Sequence, residues 1–195
     1  MLDHSWGGIL ASEFAVTQPK GLKKLVLSNS PPSAQLWSQS QTELVSTFPR
    51  QVQQALANGY HDPSYREALL GYFRVHGCSL DPWPRGLNIS FEFTFSDPTS
   101  DVQMWYVIVN EPAARTLKLK LKSCRTHPLA TWTIVDRLPQ IKVPTLVINE
   151  GANDITKDWV IQPLLDGIPG AQHHKFENPT HTPFLEERTA YMGVV

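Results

Sequence analysis

The chain has 195 residues, with 17 Lys and Arg against 18 Asp and Glu, and a formal charge of −1 at pH 7. That length is enough for one domain with a sizeable core, and the balanced charge argues against a nucleic-acid footprint, which shows as a basic patch or a high pI. Cys78 and Cys124 lack a metal-like spacing and make no disulfide framework, no apolar run reaches the ~18 residues that span a bilayer, and Asp3 and His4 break any signal-peptide stretch. The expectation is a cytoplasmic protein with two buried thiols, no metal and no membrane contact.

The first eight residues, Met1-Leu2-Asp3-His4-Ser5-Trp6-Gly7-Gly8, organise the rest. A Ser with Gly two residues on, opening an apolar helix, has the form of a nucleophile elbow: a strand ends, the chain turns on the nucleophile, and a helix begins. The Gly-x-Ser-x-Gly pattern is met except at its first position, which is Asp3. A helix is expected over 6–17, with Ile9, Leu10, Phe14 and Ala15 on one face, and with Gly7, Gly8 and Ala11 permitting close packing. Pro19-Lys20-Gly21 ends it. Lys23 to Ser28 reads as a buried, parallel strand, because a helix leads into it. The strand ahead of the elbow is almost absent from the sequence, so Leu25, Val26 and Leu27 are expected to line an open apolar edge.

From Pro31 to about Pro139 helical patterns with aromatics replace strands. They run through Leu36, Trp37, Leu44, Val45 and Phe48, then Tyr65, Leu69, Leu70, Tyr72 and Phe73, then Met104, Trp105, Val107 and Ile108. Leu80-Asp81-Pro82-Trp83-Pro84 reads as a rigid loop. Leu117 to Lys122 alternates apolar and basic residues and fits either a strand or a solvated helix edge. Val143 to Asn149 is a buried strand, followed by the loop Glu150-Gly151-Ala152-Asn153-Asp154 and a helix near Trp159–Leu165. Gln172 to Glu177 is the last strand, with an edge-like alternation. Asn178-Pro179-Thr180-His181 is a loop, and Pro183 opens the last helix at its first turn.

A Ser hydroxyl is a weak nucleophile unless a base takes its proton. His181 is the candidate base, because loops at the C-terminal ends of parallel strands line the ligand crevice of α/β sheets. His4 sits in the elbow, where its side chain should point away. His173 and His174 alternate across a strand and so do not converge on a metal. An acid that orients the His should lie between nucleophile and base in the chain, in the order Ser, Asp or Glu, His. Glu150, Asp154 and Asp158 all meet that condition. The backbone N–H of Trp6, at the helix N-terminus, is the candidate oxyanion donor.

His4-Ser5-Trp6-Gly7-Gly8, Leu80-Asp81-Pro82-Trp83-Pro84 and Phe176-Glu177-Asn178-Pro179-Thr180-His181 together resemble the proline iminopeptidase family of α/β-hydrolases. The resemblance runs from the elbow to the C-terminus, with a poorly matching stretch around residues 111–131. It implies the C-terminal portion of an α/β-hydrolase fold, with core at 1–30 and 140–195 and a helical cap at 31–139. The early strands and the second oxyanion loop would precede Met1, so the chain is expected to be N-terminally truncated. The family's Gly-x-x-Asp pattern matches Gly151-Ala152-Asn153-Asp154, which selects Asp154 and leaves Glu150 and Asp158 as fallbacks. The implied function is a serine hydrolase that releases N-terminal proline, or cleaves a related small amide or ester, with Ser5, Asp154 and His181 and no cofactor.

The resemblance also marks departures. The family holds the substrate's amino terminus with an acid directly after the catalytic Asp, where this chain has Ile155. A second acid lies in a cap segment that matches Asn110-Glu111-Pro112-Ala113-Ala114, so Glu111 is a displaced candidate for substrate binding. Two alternatives stay open: an inactive homologue acting as a binding module, and an epoxide-hydrolase-like enzyme. Ser5 argues against the second, because such enzymes carry Asp as nucleophile. Neither the exact substrate nor the oligomeric state follows from the sequence.

Overall fold

The computed structural model describes residues 1–59, 62–96, 131–151 and 155–195. The expected patterns at Met104–Ile108 and Leu117–Lys122, together with Glu111, Cys124 and Asp154, lie outside the described residues.

Four parallel strands form a sheet in the order β1 (Leu2–His4), β2 (Leu25–Ser28), β3 (Thr145–Glu150), β4 (Gln172–Phe176). Parallel neighbours need a crossover, and α1 (Trp6–Val16) supplies the first. The second crossover contains α2 (Ala34–Ser46), α3 (Arg50–Asn58), α4 (Tyr65–His76), α5 (Arg85–Ser96) and a 3₁₀ helix (Val135–Gln140). The third is α6 (Asp158–Gly167), and the chain closes with α7 (Pro183–Glu186) and α8 (Arg188–Val194). Pro183 stands in the first turn of α7, where its missing N–H leaves no intrahelical bond unmade.

Both faces of the sheet are covered. On one face Leu25, Leu27 and Val147 pack with Ala11 and Ala15 of α1, Leu138 of the 3₁₀ helix, and Ile161 and Leu164 of α6. On the other, Ile148 and Phe176 meet Tyr191 of α8. Burying such a Leu or Val side chain stabilises by roughly 1.5–3 kcal/mol each. A second apolar cluster joins α2, α3 and α4 through Leu44, Leu56, Leu69 and Tyr72. Ile134, Leu138 and Ile141 belong to the sheet's core, so the segment from about residue 134 packs with the sheet.

Two expectations about the start of the chain are corrected. Helix α1 buries Gly8, Ala11, Ser12 and Ala15, whereas Leu10 and Phe14 are exposed. Small residues face the sheet because β2 and Ser30 lie too close for larger ones: a Cβ on Gly8 would stand 1.7 Å from Ser30 Oγ. Nor are Leu25, Val26 and Leu27 an open edge. Leu2, Asp3 and His4 pair with Val26, Leu27 and Ser28, and Val26 N–H donates to Met1 O at 2.9 Å. Leu25 and Leu27 are fully buried, and among the described strands the free edges are β1 and β4.

Candidate active site

The C-terminal ends of β1 and β4 bring together Ser5 and His181 of the residues singled out in the sequence. Ser5 lies between β1 and α1 with φ 53° and ψ −119°, a backbone conformation unusual for a residue with a Cβ. Such strain costs of order 1–3 kcal/mol and persists only where the surroundings impose it. Here Ser5 N–H donates to Ser28 O at 2.9 Å, which ties the turn to the end of β2. Gly8 allows α1 to leave the turn directly over Ser30. Trp6 is the first residue of α1, and first-turn N–H groups have no intrahelical acceptor.

Ser5 Oγ lies 2.9 Å from His181 Nε2. The His181 ring is buried. Burial, followed by the neighbouring His4 ring, pushes its pKa well below the ordinary value, so the ring is neutral and can accept a proton. Its Nδ1 is buried and has no hydrogen-bond partner among the described residues. Gly151, in the loop leaving β3, approaches the chain so closely that a Cβ would stand 2.2 Å from Glu177 O. The β3 loop and the β4 loop are therefore in direct contact a few residues before Asp154 and His181.

The loop around His181 is held from several directions. His181 N–H donates to His76 O at 3.1 Å. Glu186 takes Thr180 N–H and Ser79 Oγ–H on Oε2, at 2.9 and 2.7 Å, and Thr180 Oγ1–H on Oε1 at 2.7 Å. Burial raises the Glu186 pKa, but these bonds outweigh it and hold the carboxyl below the usual range. His4 Nε2 lies 2.6 Å from His181 O, and Asn29 Nδ2 donates to the same atom at 3.0 Å.

His4 is thus the second correction of side-chain direction. Its ring does not point away from the site but lies 4.6 Å from the His181 ring and 5.0 Å from Phe184. Asn29 and Glu186 were missed as well. The signal for Asn29 was present: an Asn between two Ser residues after a strand suits a left-handed turn, and its φ is 51°. Glu186 had no signal, because its partners come from α4's end and from its own loop.

The fallback acids separate in space. Asp158 accepts from Asn149 Nδ2 and Lys175 Nζ, each at 2.8 Å, and the Lys175 bond leads in lowering its pKa. Glu150 is fully buried at the end of β3. His173 bonds Asn149 Oδ1 while His174 meets Phe176 edge to face, so the two rings face opposite sides. Ile155 is buried in the α2–α4 cluster, and its carbonyl accepts Ser40 Oγ–H at 2.8 Å. Among the described residues no group of three or more His, Cys, Asp or Glu could hold a metal ion.

A parallel sheet covered by helices in this arrangement has known counterparts. The structure matches that of VinJ with a TM-score of 0.78 and 30% identity, covering 99% of this chain and 62% of that one. It matches proline iminopeptidase from Mycobacterium smegmatis with a TM-score of 0.75 and 29% identity over the same shares. A curated proline iminopeptidase from Clostridioides difficile is 28% identical over 206 residues, all of this chain and 64% of that protein. The chain is similar to proline iminopeptidases, and its fold is that of the α/β-hydrolases. No protein-family model matches it. The chain spans a little under two thirds of the length of the proteins it matches. Among its described residues no helix is long and apolar enough to cross a membrane.

Proposed function

We propose that this chain carries the nucleophile, base and acid of a serine hydrolase acting on small peptides, amides or esters. The observation that supports it best is the 2.9 Å contact between Ser5 Oγ and His181 Nε2 at a strained strand–helix turn. Ser5 Oγ attacks the substrate carbonyl while His181 takes the hydroxyl proton on Nε2. The carbonyl oxygen, now negative, is held by the Trp6 N–H at the positive end of α1. His181 then gives its proton to the leaving amine or alcohol, and water hydrolyses the acyl-Ser5 ester by the same steps in reverse. Asp154 is assigned to the His181 Nδ1 side, where it fixes the tautomer and stabilises the imidazolium. Gly151, three residues earlier, already touches the loop that carries His181. The helices α2–α5 are assigned as a cap over this site.

Relatives named proline iminopeptidase point to an N-terminal prolyl substrate. Ile155 is buried among apolar helices. It therefore offers no charge to a substrate ammonium group, and Glu111 is the remaining acidic candidate. The test is labelling by a fluorophosphonate probe, with peptide mapping, beside hydrolysis of prolyl-p-nitroanilide and p-nitrophenyl acetate. Labelling at Ser5, together with turnover of either substrate, supports the assignment. A folded chain that labels nowhere and turns over neither substrate refutes it.

A further inference from the structure

Two side chains outside the Ser5–Asp154–His181 set converge on one main-chain atom of the base. His4 Nε2 and Asn29 Nδ2 lie 2.6 and 3.0 Å from His181 O. A carbonyl oxygen only accepts, and its two lone pairs accommodate two donors, so His4 carries a proton on Nε2. Both donors come from rigid strand ends. His4 is the last residue of β1 and is followed directly by Ser5; Asn29 follows Ser28, whose carbonyl accepts the Ser5 N–H. The same two chain segments that fix the nucleophile therefore also grip the base. His181 itself lies in a loop without regular structure, and such segments are mobile unless tied down.

We infer that His4 and Asn29 are positioning residues that clamp the His181 carbonyl and so set the base's ring against Ser5 Oγ. This rests on the reading of His181 as the base. Asn29 is fully buried, and the half-buried His4 ring packs against the rings of His181 and Phe184. Burial pushes the His4 pKa down to about 4, so the ring works as a neutral donor near neutral pH. Small displacements of a catalytic group are costly: an error of about 1 Å can reduce a rate on the order of 100-fold.

The test uses three variants of the whole chain. His4→Phe keeps a ring and its packing but removes the N–H. His4→Gln restores a donor of similar reach. Asn29→Asp removes the Nδ2 donor, and Asp tolerates the left-handed backbone at that position. Long-range ¹H–¹⁵N imidazole spectra should show the Nε2–H tautomer for His4 in the parent, shifted or broadened His181 signals in His4→Phe, and parent-like His181 signals in His4→Gln. The fluorophosphonate labelling rate and kcat for p-nitrophenyl acetate should fall about 10- to 100-fold in His4→Phe and Asn29→Asp, with KM within about twofold, and should recover largely in His4→Gln. Unchanged His181 signals in a folded His4→Phe would overturn the clamp. So would equal losses in His4→Phe and His4→Gln, which would mean that His4 only fills space. If His4→Phe does not fold, parent-like labelling by Asn29→Asp overturns it. A parent chain that never labels at Ser5 defeats the hydrolase reading, while the His181 spectra still decide the clamp.

Discussion

Ser5 Oγ and His181 Nε2 lie 2.9 Å apart although 176 positions separate them in sequence. The turn after β1 and the loop after β4 deliver them to the same end of the sheet, and neither side chain reaches the other by local structure. Replacing either should therefore remove the activity without unfolding the chain. Ser5→Ala and His181→Gln should each lower kcat roughly 10⁴-fold or more, because nucleophile and base act as a unit and their losses do not add. Ser5→Ala should also relieve no backbone strain, since Ala is no better suited than Ser to φ 53°. The check is kcat for p-nitrophenyl acetate beside thermal melting. A Ser5→Ala chain that still turns over substrate at the parent rate places the chemistry elsewhere.

Asp154 is tested through the tautomer it would impose. With Asn in its place the side chain can donate to His181 Nδ1, which favours the proton on Nε2, the wrong nitrogen for accepting from Ser5. Asp154→Asn should then lower kcat on the order of 10⁴-fold with little change in KM, the size seen when the orienting acid of a Ser–His–Asp set is amidated. Glu150→Gln serves as the comparison. If Glu150→Gln abolishes turnover and Asp154→Asn leaves it intact, the acid has been misassigned.

Stability should depend on pH in a stated direction. The His4 pKa is about 4 in the folded chain against an ordinary value of 6.5. Between those limits the unfolded chain binds a proton that the folded chain does not, so stability falls as pH falls. Above pH 6.5 both states are neutral at this ring and the term vanishes. For His4 alone the loss between pH 7 and pH 4 is roughly 3 kcal/mol. His181 acts in the same direction. Glu186 and Asp158 have depressed values, so their contributions are present above the ordinary carboxylate range and are lost at still lower pH. Urea unfolding at several pH values measures this. The fall should be shallower in His4→Gln, and an identical pH slope in that variant contradicts the assignment.

Gly8 tests how tightly α1 sits on the strand that follows it. An added Cβ would stand 1.7 Å from Ser30 Oγ and 2.5 Å from Ser30 Cβ. Gly8→Ala should destabilise by about 1–3 kcal/mol through overpacking, despite the better helix propensity of Ala. Ser30→Gly should restore much of that loss in the double variant. Because Gly8 lies three residues from Ser5, the labelling rate should fall with Gly8→Ala and return with the same rescue. Denaturant titrations of the four chains in the double-mutant cycle decide it, and purely additive effects would sink the idea.

The amino-acid pattern alone determined the alternation of strand and helix, the turn at Ser5 and the run of helices between the second and third strands. Each is a local property: apolar runs, Gly and Pro punctuation and spacing along one chain. Tertiary structure decided which faces and which side chains those elements use. Leu10 and Phe14 look like core by periodicity, yet α1 turns Gly8, Ala11 and Ala15 to the sheet, because the sheet's approach leaves no room for more. Leu2 to His4 is too short to read as a strand, but pairing with Val26, Leu27 and Ser28 of β2 makes it one. His4 seemed a bystander because nothing near it in sequence needs a donor; its acceptor is the carbonyl of His181, 177 residues away. A hydrogen bond between residues so far apart leaves no periodic trace, and it exists only once the sheet has brought the ends of β1, β2 and β4 side by side.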